Sequence, residues 1–69
     1  DFVLTENGVP RHFIECKLSS SAVSRSLRYL KSKFPDVRST QVCLEDGKDY
    51  RTREDIRVCP AHVLLDEFV

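Results

Sequence analysis

Residues 14–18, Ile-Glu-Cys-Lys-Leu, constrain the fold of this chain more than any other stretch, because apolar and charged side chains alternate along them. Alternation with a period of two is typical of a half-buried β-strand. Glu15 and Lys17 are therefore expected on one, outward-facing side of the strand, with the apolar residues on the side of the core. A carboxylate and an amine two residues apart on a strand can reach the same ligand, so this strand is the first candidate for a functional site.

A turn signal precedes this strand. The apolar run 2–4 is followed by Asn7-Gly8, a dipeptide typical of a tight hairpin turn. A two-residue turn would place Asp1 opposite Ile14, whereas a three-residue loop would place it diagonal to Glu15 on the same face, because a slip of one residue exchanges the faces. A site shared by Asp1 and Glu15 therefore requires an odd-length loop or a compensating β-bulge.

The serine run 19–21 predicts the N-terminal cap of a first helix. Apolar residues then recur at the spacing of one helical stripe, namely Val23, Leu27, Leu30 and Phe34. The helix is expected to end at Phe34, since the residue before a proline disfavours helical backbone. We expect the stripe to pack on the apolar face of the strand at 14–18.

The C-terminal half predicts two strands and a second helix. Residues 39–44 are typical of a central strand, residues 45–55 of a charged loop, and residues 56–58 of a short strand. Pro60 suits the first position of a helix, whose apolar stripe would be Ala61, Leu64, Leu65 and Phe68. We therefore expect one α/β domain over residues 1–69, with the order β-β-α-β-β-α.

Net charge gives no support for strong non-specific binding to nucleic acid or to a membrane, because 11 basic residues balance 11 acidic ones. The bases are nevertheless concentrated between Cys16 and Pro35, where no acid occurs. No stretch is long enough to span a bilayer, and no signal peptide is visible. His12 and His62 have no partner in sequence and are expected on the surface.

The three cysteines are far apart and lack the spacing of a zinc site. They predict buried free thiols in a reducing cytoplasm. Because the chain begins in a strand-like run without an initiator Met, we expect it to be part of a longer protein.

Asp1, Glu15 and Lys17 are the residue types that metal-assisted cleavage of a phosphodiester needs. Two carboxylates can hold Mg²⁺, and a nearby lysine stabilises the negative charge that develops in the reaction. Arg25 and Arg28, on the polar side of the first helix, could contact a phosphate backbone. The sequence has no glycine-rich phosphate loop and no nucleophile elbow. The other interpretation is a solvated strand face with a weak ion pair, worth about 0–1 kcal/mol.

Several motifs recur in an order that resembles a known family: Asp1-Phe2-Val3-Leu4, Ile14-Glu15-Cys16-Lys17-Leu18-Ser19, Leu27-Arg28-Tyr29-Leu30 with Lys33-Phe34-Pro35, and Ile56-Arg57-Val58-Cys59-Pro60-Ala61. They resemble the C-terminal domain of a group of bacterial and archaeal AAA-type ATPases, which has a restriction-endonuclease-like, PD-(D/E)XK fold. The resemblance implies Asp1 and Glu15 as metal ligands, Lys17 as the catalytic lysine and Mg²⁺ as the cofactor. It also implies an N-terminal ATPase module of the same chain as partner, and a cytoplasmic location in a prokaryote.

Two functions remain open from the sequence. The first is a Mg²⁺-dependent phosphodiesterase, or a module derived from one that still contacts DNA. The second is a non-catalytic module that docks onto or regulates the ATPase, because fold alone does not decide activity.

Overall fold

In a computed structural model, which describes residues 2–18, 22–45 and 47–68, the chain forms a sheet and two helices. The elements are β1 (Phe2–Glu6), β2 (Val9–Lys17), α1 (Arg25–Lys33), β3 (Arg38–Cys43), β4 (Tyr50–Arg51), β5 (Arg57–Pro60) and α2 (Ala61–Asp66). The predicted α/β class is confirmed. The order has one strand more than predicted, because Tyr50 and Arg51, within the expected charged loop, pair with β5. In the described ranges, no helix is long and apolar enough to cross a membrane.

The five strands form one mixed sheet in the order β1-β2-β3-β5-β4. The outer pairs β1–β2 and β4–β5 are antiparallel, whereas β2, β3 and β5 run parallel to one another. Helix α1 connects the parallel neighbours β2 and β3, as such a crossover requires. The carboxyl ends of β2, β3 and β5 consequently lie at the same edge of the sheet.

The hairpin of β1 and β2 closes through a two-residue turn. Asn7 and Gly8 have positive φ angles of 54° and 78°, as a type I′ turn requires. The register then shifts once within β1, so that Val3 lies opposite Phe13. The alternative of a three-residue loop is therefore wrong, whereas the compensating bulge is present. Asp1 lies outside the described residues.

Ser24 caps helix α1, and its Oγ accepts a hydrogen bond from the backbone N–H of Leu27 at 3.1 Å. The predicted cap at residues 19–21 lies outside the described residues, and Ser24 fills that role. The helix ends at Phe34, as predicted, where the Phe34 N–H donates to the Leu30 carbonyl at 2.8 Å.

The sheet buries an apolar cluster on each of its two faces. The cluster on what we call the α1 face consists of Phe13, Val23, Leu27, Ile56 and Val58. The cluster on what we call the α2 face consists of Ile14, Val42, Cys59 and Leu64. The prediction that Ile14, Cys16 and Leu18 pack on the first helix is wrong, since Ile14 belongs to the α2 face and the other two are exposed. Alternation fixes which residues share a face, but tertiary packing decides which helix covers that face.

Helix α2 begins at Ala61, one residue later than predicted, because Pro60 is the last residue of β5 and the N-cap of the helix. Leu64 is buried, but Leu65 and Phe68 are exposed, so only part of the predicted stripe packs. Val63 packs against the α2-face cluster instead. The helix spans six residues, so it covers only a part of this face.

The cysteines differ from one another in burial. Cys43 and Cys59 are buried, as predicted, and burial raises the pKa of the Cys59 thiol. Cys16 is exposed, so the prediction of a buried thiol is wrong there. Cys16 lines an open groove beside α2, because that helix is too short to close it.

Candidate active site at the carboxyl end of strand β2

Glu15 and Lys17 share one face of β2, as predicted, but that face is solvated at Lys17 and buried at Glu15. Glu15 is only 7% exposed, whereas the Lys17 side chain is 41% exposed. The prediction of an outward-facing Glu15 is therefore wrong. The physical reason is that Phe13, two residues earlier on the same face, anchors α1 through Leu27, so the helix crosses over Glu15 as well. The second predicted metal ligand, Asp1, lies outside the described residues.

The two oxygens of the Glu15 carboxylate have different surroundings. Oε1 accepts a long hydrogen bond from the Ser26 hydroxyl at 3.5 Å. Oε2 is buried and has no hydrogen-bond partner among the described residues. The ammonium Nζ of Lys17 lies 3.9 Å from Oε2, close enough for an ion pair but too far for a hydrogen bond. The site thus holds a buried carboxylate with one oxygen that is incompletely paired within the described residues.

Gln41 lies beside Glu15 in the register of β2 and β3 and is 1% exposed. Its Oε1 accepts the backbone N–H of Ser24 at 3.0 Å, and its Nε2 donates to the Ala22 carbonyl at 3.4 Å. Gln41 therefore ties the segment at the start of α1 to the central strand. Sequence reasoning missed it, although a glutamine directly before the apolar run 42–44 of a predicted central strand was a signal available in the sequence.

The site lies at the edge where the parallel strands end. The backbone N–H of Leu44, just after β3, donates to the Lys17 carbonyl at 2.9 Å, which extends the pairing of the two strands. The first turn of α1 carries Ser26 to the Glu15 carboxylate. In open α/β sheets, ligands bind in the crevice outside the carboxyl ends of parallel strands.

An open cleft of about 150 Å³ lies between α1 and the hairpin. It is lined by Val3, Phe13, Ile14, Glu15, Ser26, Leu27 and Leu30. Most of this lining is apolar, and Glu15 and Ser26 supply its polar side chains. The cleft thus places the Glu15 carboxylate beside an apolar surface rather than inside a polar cage.

Carboxylate oxygens are ligands of the kind that a hard cation such as Mg²⁺ takes. A buried carboxylate oxygen without a hydrogen-bond partner is an oxygen donor of the kind that Mg²⁺ takes, with water as its further ligands. The described residues contain no group of three or more His, Cys, Asp or Glu side chains placed to hold a metal ion. Of the two predicted metal ligands, only Glu15 lies within the described residues. Asp1 remains a predicted metal ligand.

The two arginines predicted to contact nucleic acid are both exposed on α1. Arg25 is the first residue of the helix, in the same turn as Ser26. Arg28 lies one turn further and forms an ion pair with Glu54 at 3.3 Å. Both can reach a ligand outside the domain, but Arg28 would have to exchange its carboxylate partner for a phosphate.

His12 is buried, and the prediction of a surface histidine is wrong for it, whereas His62 is exposed as predicted. The His12 ring nitrogen Nε2 lies 2.7 Å from the Thr40 hydroxyl, on the α2 face. Burial lowers the pKa of His12, and the nearby guanidinium groups of Arg38 and Arg57 lower it further. Sequence gave no signal for this pair, because its members are 28 residues apart.

Comparison of the chain with protein-family models, with curated proteins and with solved structures finds no match.

Proposed function

We propose that this chain is a nuclease-like module that binds a divalent cation at Glu15 and contacts a phosphate of DNA through Lys17. The observation that carries the proposal is the Glu15 carboxylate, which is buried under α1 with one oxygen lacking a hydrogen-bond partner and a lysine ammonium 3.9 Å away. The alternation along the sequence predicts Glu15 and Lys17 on one face of a strand, and both residues lie on one face of β2.

A buried charge without full hydrogen bonding is costly, and a single lysine at 3.9 Å offsets only a part of that cost. Proteins rarely retain such a group unless it serves an ion, a water molecule or a reaction. A hydrophobic residue at position 15 would satisfy the core at lower cost. A carboxylate that is buried there and incompletely paired favours a ligand over a purely structural role.

Each residue would then have a defined task. Mg²⁺, when bound, supplies a Lewis acid that polarises a phosphate oxygen. Glu15 would hold the cation, and Asp1 is the proposed second carboxylate. Lys17 would lie against the phosphate and stabilise the negative charge that increases in the transition state. Arg25 and Arg28 would contact neighbouring phosphates and position the strand.

The resemblance to the C-terminal domain of prokaryotic AAA-type ATPases extends the proposal to the partner. We propose that the module works beside an ATPase module of the same parent chain, in the cytoplasm. Its nuclease-like site would then act on DNA that the ATPase engages.

The test is a nicking assay on supercoiled DNA with Mg²⁺ or Mn²⁺, combined with calorimetric titration of the same metals. We expect weak, metal-dependent nicking from the 69-residue chain. Glu15→Gln should abolish both metal binding and nicking. Lys17→Ala should abolish nicking but leave the metal bound, because the amine acts on charge that develops in the transition state.

Two exposed residues outside the site provide matched controls. Glu6→Gln removes a carboxylate and Lys48→Ala removes an amine, and neither should change nicking or metal affinity. If Glu15→Gln behaves like Glu6→Gln in both assays, the proposed site is wrong.

A second candidate function, a non-catalytic docking module, is favoured by the groove beside α2. This groove is lined by Ile14, Cys16, Val42, Leu44, Ala61, Leu64 and Leu65, and all of these side chains are apolar. Leu44 and Leu65 are largely exposed, which is typical of a surface that a partner covers. If the module only docks on its ATPase, Leu65→Glu should weaken co-purification with the ATPase module, and Lys17→Ala should have no effect on function.

A further inference from the structure

We infer that Gln41 is a positioning residue for the Glu15 carboxylate, which it controls through the start of helix α1. The inference rests on the proposed function, because it concerns how Glu15 is held ready for a cation. It adds to that proposal a residue with no charge, which neither the sequence motifs nor the resemblance identified.

The first step is the register of the two central parallel strands. Gln41 on β3 pairs with Glu15 on β2, so the two side chains leave the sheet as neighbours on the α1 face. Gln41 is 1% exposed, and its amide is directed at the segment that leads into α1. This amide lies between the sheet and the helix start, beside the carboxylate.

The second step is the pair of hydrogen bonds that the amide makes. Its oxygen accepts from the Ser24 backbone N–H at 3.0 Å, and its nitrogen donates to the Ala22 carbonyl at 3.4 Å. Only a group with both an acceptor and a donor can make this pair, which a carboxylate or an apolar side chain cannot. Ser24 is also the N-cap of α1, since its Oγ accepts from the Leu27 N–H at 3.1 Å. Gln41 thus fixes the residue from which the first helical turn begins.

The third step leads from the helix back to the carboxylate. Ser26 lies two residues after the cap, and its hydroxyl donates to Oε1 of Glu15 at 3.5 Å. This contact occupies one carboxylate oxygen, whereas Oε2 has no hydrogen-bond partner among the described residues. A shift in the start of α1 would move the Ser26 hydroxyl away from Glu15. The Glu15 carboxylate would then no longer be held in one orientation. Replacing a residue that orients a metal ligand typically changes the metal affinity about 10–100-fold. We expect a change of about that order here.

The experiment uses Mn²⁺ as the probe, measured by calorimetric titration and by electron paramagnetic resonance of the free ion. Gln41→Met keeps the approximate size of the side chain and removes both hydrogen bonds. We expect it to raise the Kd for Mn²⁺ about 10–100-fold. Ser39→Ala is the matched control, because Ser39 is buried on the same face of β3 and its hydroxyl has no hydrogen-bond partner among the described residues. It should leave the Kd unchanged.

A second readout needs no metal. The ¹³C NMR signal of the Glu15 carboxylate, assigned by its loss in Glu15→Gln, should move in Gln41→Met and in Ser26→Ala but not in Ser39→Ala. Ser26 is exposed, so Ser26→Ala keeps the inference testable if Gln41→Met does not fold. Ser26→Thr, which retains the hydroxyl, should restore both the signal and the Mn²⁺ affinity.

The outcomes separate this inference from the proposed function. If the wild-type chain binds no Mn²⁺ but the carboxylate signal responds as expected, the proposed metal site is wrong and the positioning role stands. If Gln41→Met folds and leaves both the carboxylate signal and the Mn²⁺ affinity unchanged, the inference is overturned. If Gln41→Met does not fold, an unchanged signal and affinity in Ser26→Ala overturn it.

Discussion

On the α2 face, His12 is buried with its ring nitrogen 2.7 Å from the Thr40 hydroxyl, whereas on the α1 face Glu15 is buried with one oxygen that lacks a hydrogen-bond partner among the described residues. The first group is satisfied within the fold and needs no ligand to explain it. The second has an acceptor oxygen, Oε2, that forms no hydrogen bond within the described part of the fold. At Glu15 it is therefore the unpaired oxygen, and not burial alone, that points to a ligand.

The helices reinforce this difference. The nine-residue α1 covers Glu15 and carries a serine to it, so the polar site forms at the helix–sheet boundary. The six-residue α2 leaves an apolar groove beside Cys16. One face thus offers a carboxylate to a ligand, and the other offers an apolar surface to a partner.

The substitution with the largest expected effect tests the packing that buries Glu15. Leu27 is 2% exposed and contributes to the α1-face cluster, so Leu27→Ala should lower the free energy of unfolding by about 2–5 kcal/mol. In a domain of this size that loss can abolish folding. Urea denaturation followed by circular dichroism measures it, with Leu65→Ala, at an exposed site on α2, as the control. Equal stabilities of the two variants would show that α1 does not close this face.

A substitution with a smaller expected effect tests whether the fold keeps His12 neutral. The pKa of His12 lies below its ordinary value of 6.5, chiefly because of burial and then because of Arg38 and Arg57, which outweigh the opposite influence of Glu67. The unfolded chain therefore binds a proton near pH 6.5 that the folded chain binds only at lower pH. The lowered pKa of His12 therefore contributes fully to the free energy of unfolding above pH 6.5. This contribution is lost as the pH falls through the pKa of the folded state.

Chemical denaturation at a series of pH values measures this loss of stability. The series runs from about pH 7.5 to about pH 4.5, roughly two units below the ordinary pKa of histidine. His12→Gln should lose less stability than the wild type over that range. If His12→Gln and the wild type give the same pH dependence, His12 is not held neutral by the fold.

Local patterns in the sequence predicted the elements that depend on neighbours along the chain. The alternation at 14–18 placed Glu15 and Lys17 on one face, and the stripe containing Leu27 identified the buried side of α1. The residue before Pro35 ended the helix as expected. Each of these features is decided within about one or two turns of helix or one strand.

Features that depend on distant contacts could not be predicted in this way. Glu15 is buried because α1 crosses over β2, and the sequence of β2 contains no information about that helix. Burial of His12 depends on Thr40, which lies on a different strand. The strand β4 has two residues and forms only because β5 offers an edge to pair with. Tertiary packing therefore decided the environment of each candidate residue after the sequence had decided its type.

The central claim, that Glu15 serves a ligand rather than the fold, is tested most directly by the free energy of unfolding of the wild type and of Glu15→Gln, each with and without Mn²⁺. Without metal, we expect Glu15→Gln to be at least as stable as the wild type, because the substitution removes a buried charge that is incompletely paired. At a Mn²⁺ concentration of about ten times Kd, the wild type should gain about 1.4 kcal/mol and Glu15→Gln should gain nothing. A variant that is clearly less stable than the wild type without metal, together with no gain for either protein with Mn²⁺, would contradict the claim and make Glu15 a structural residue.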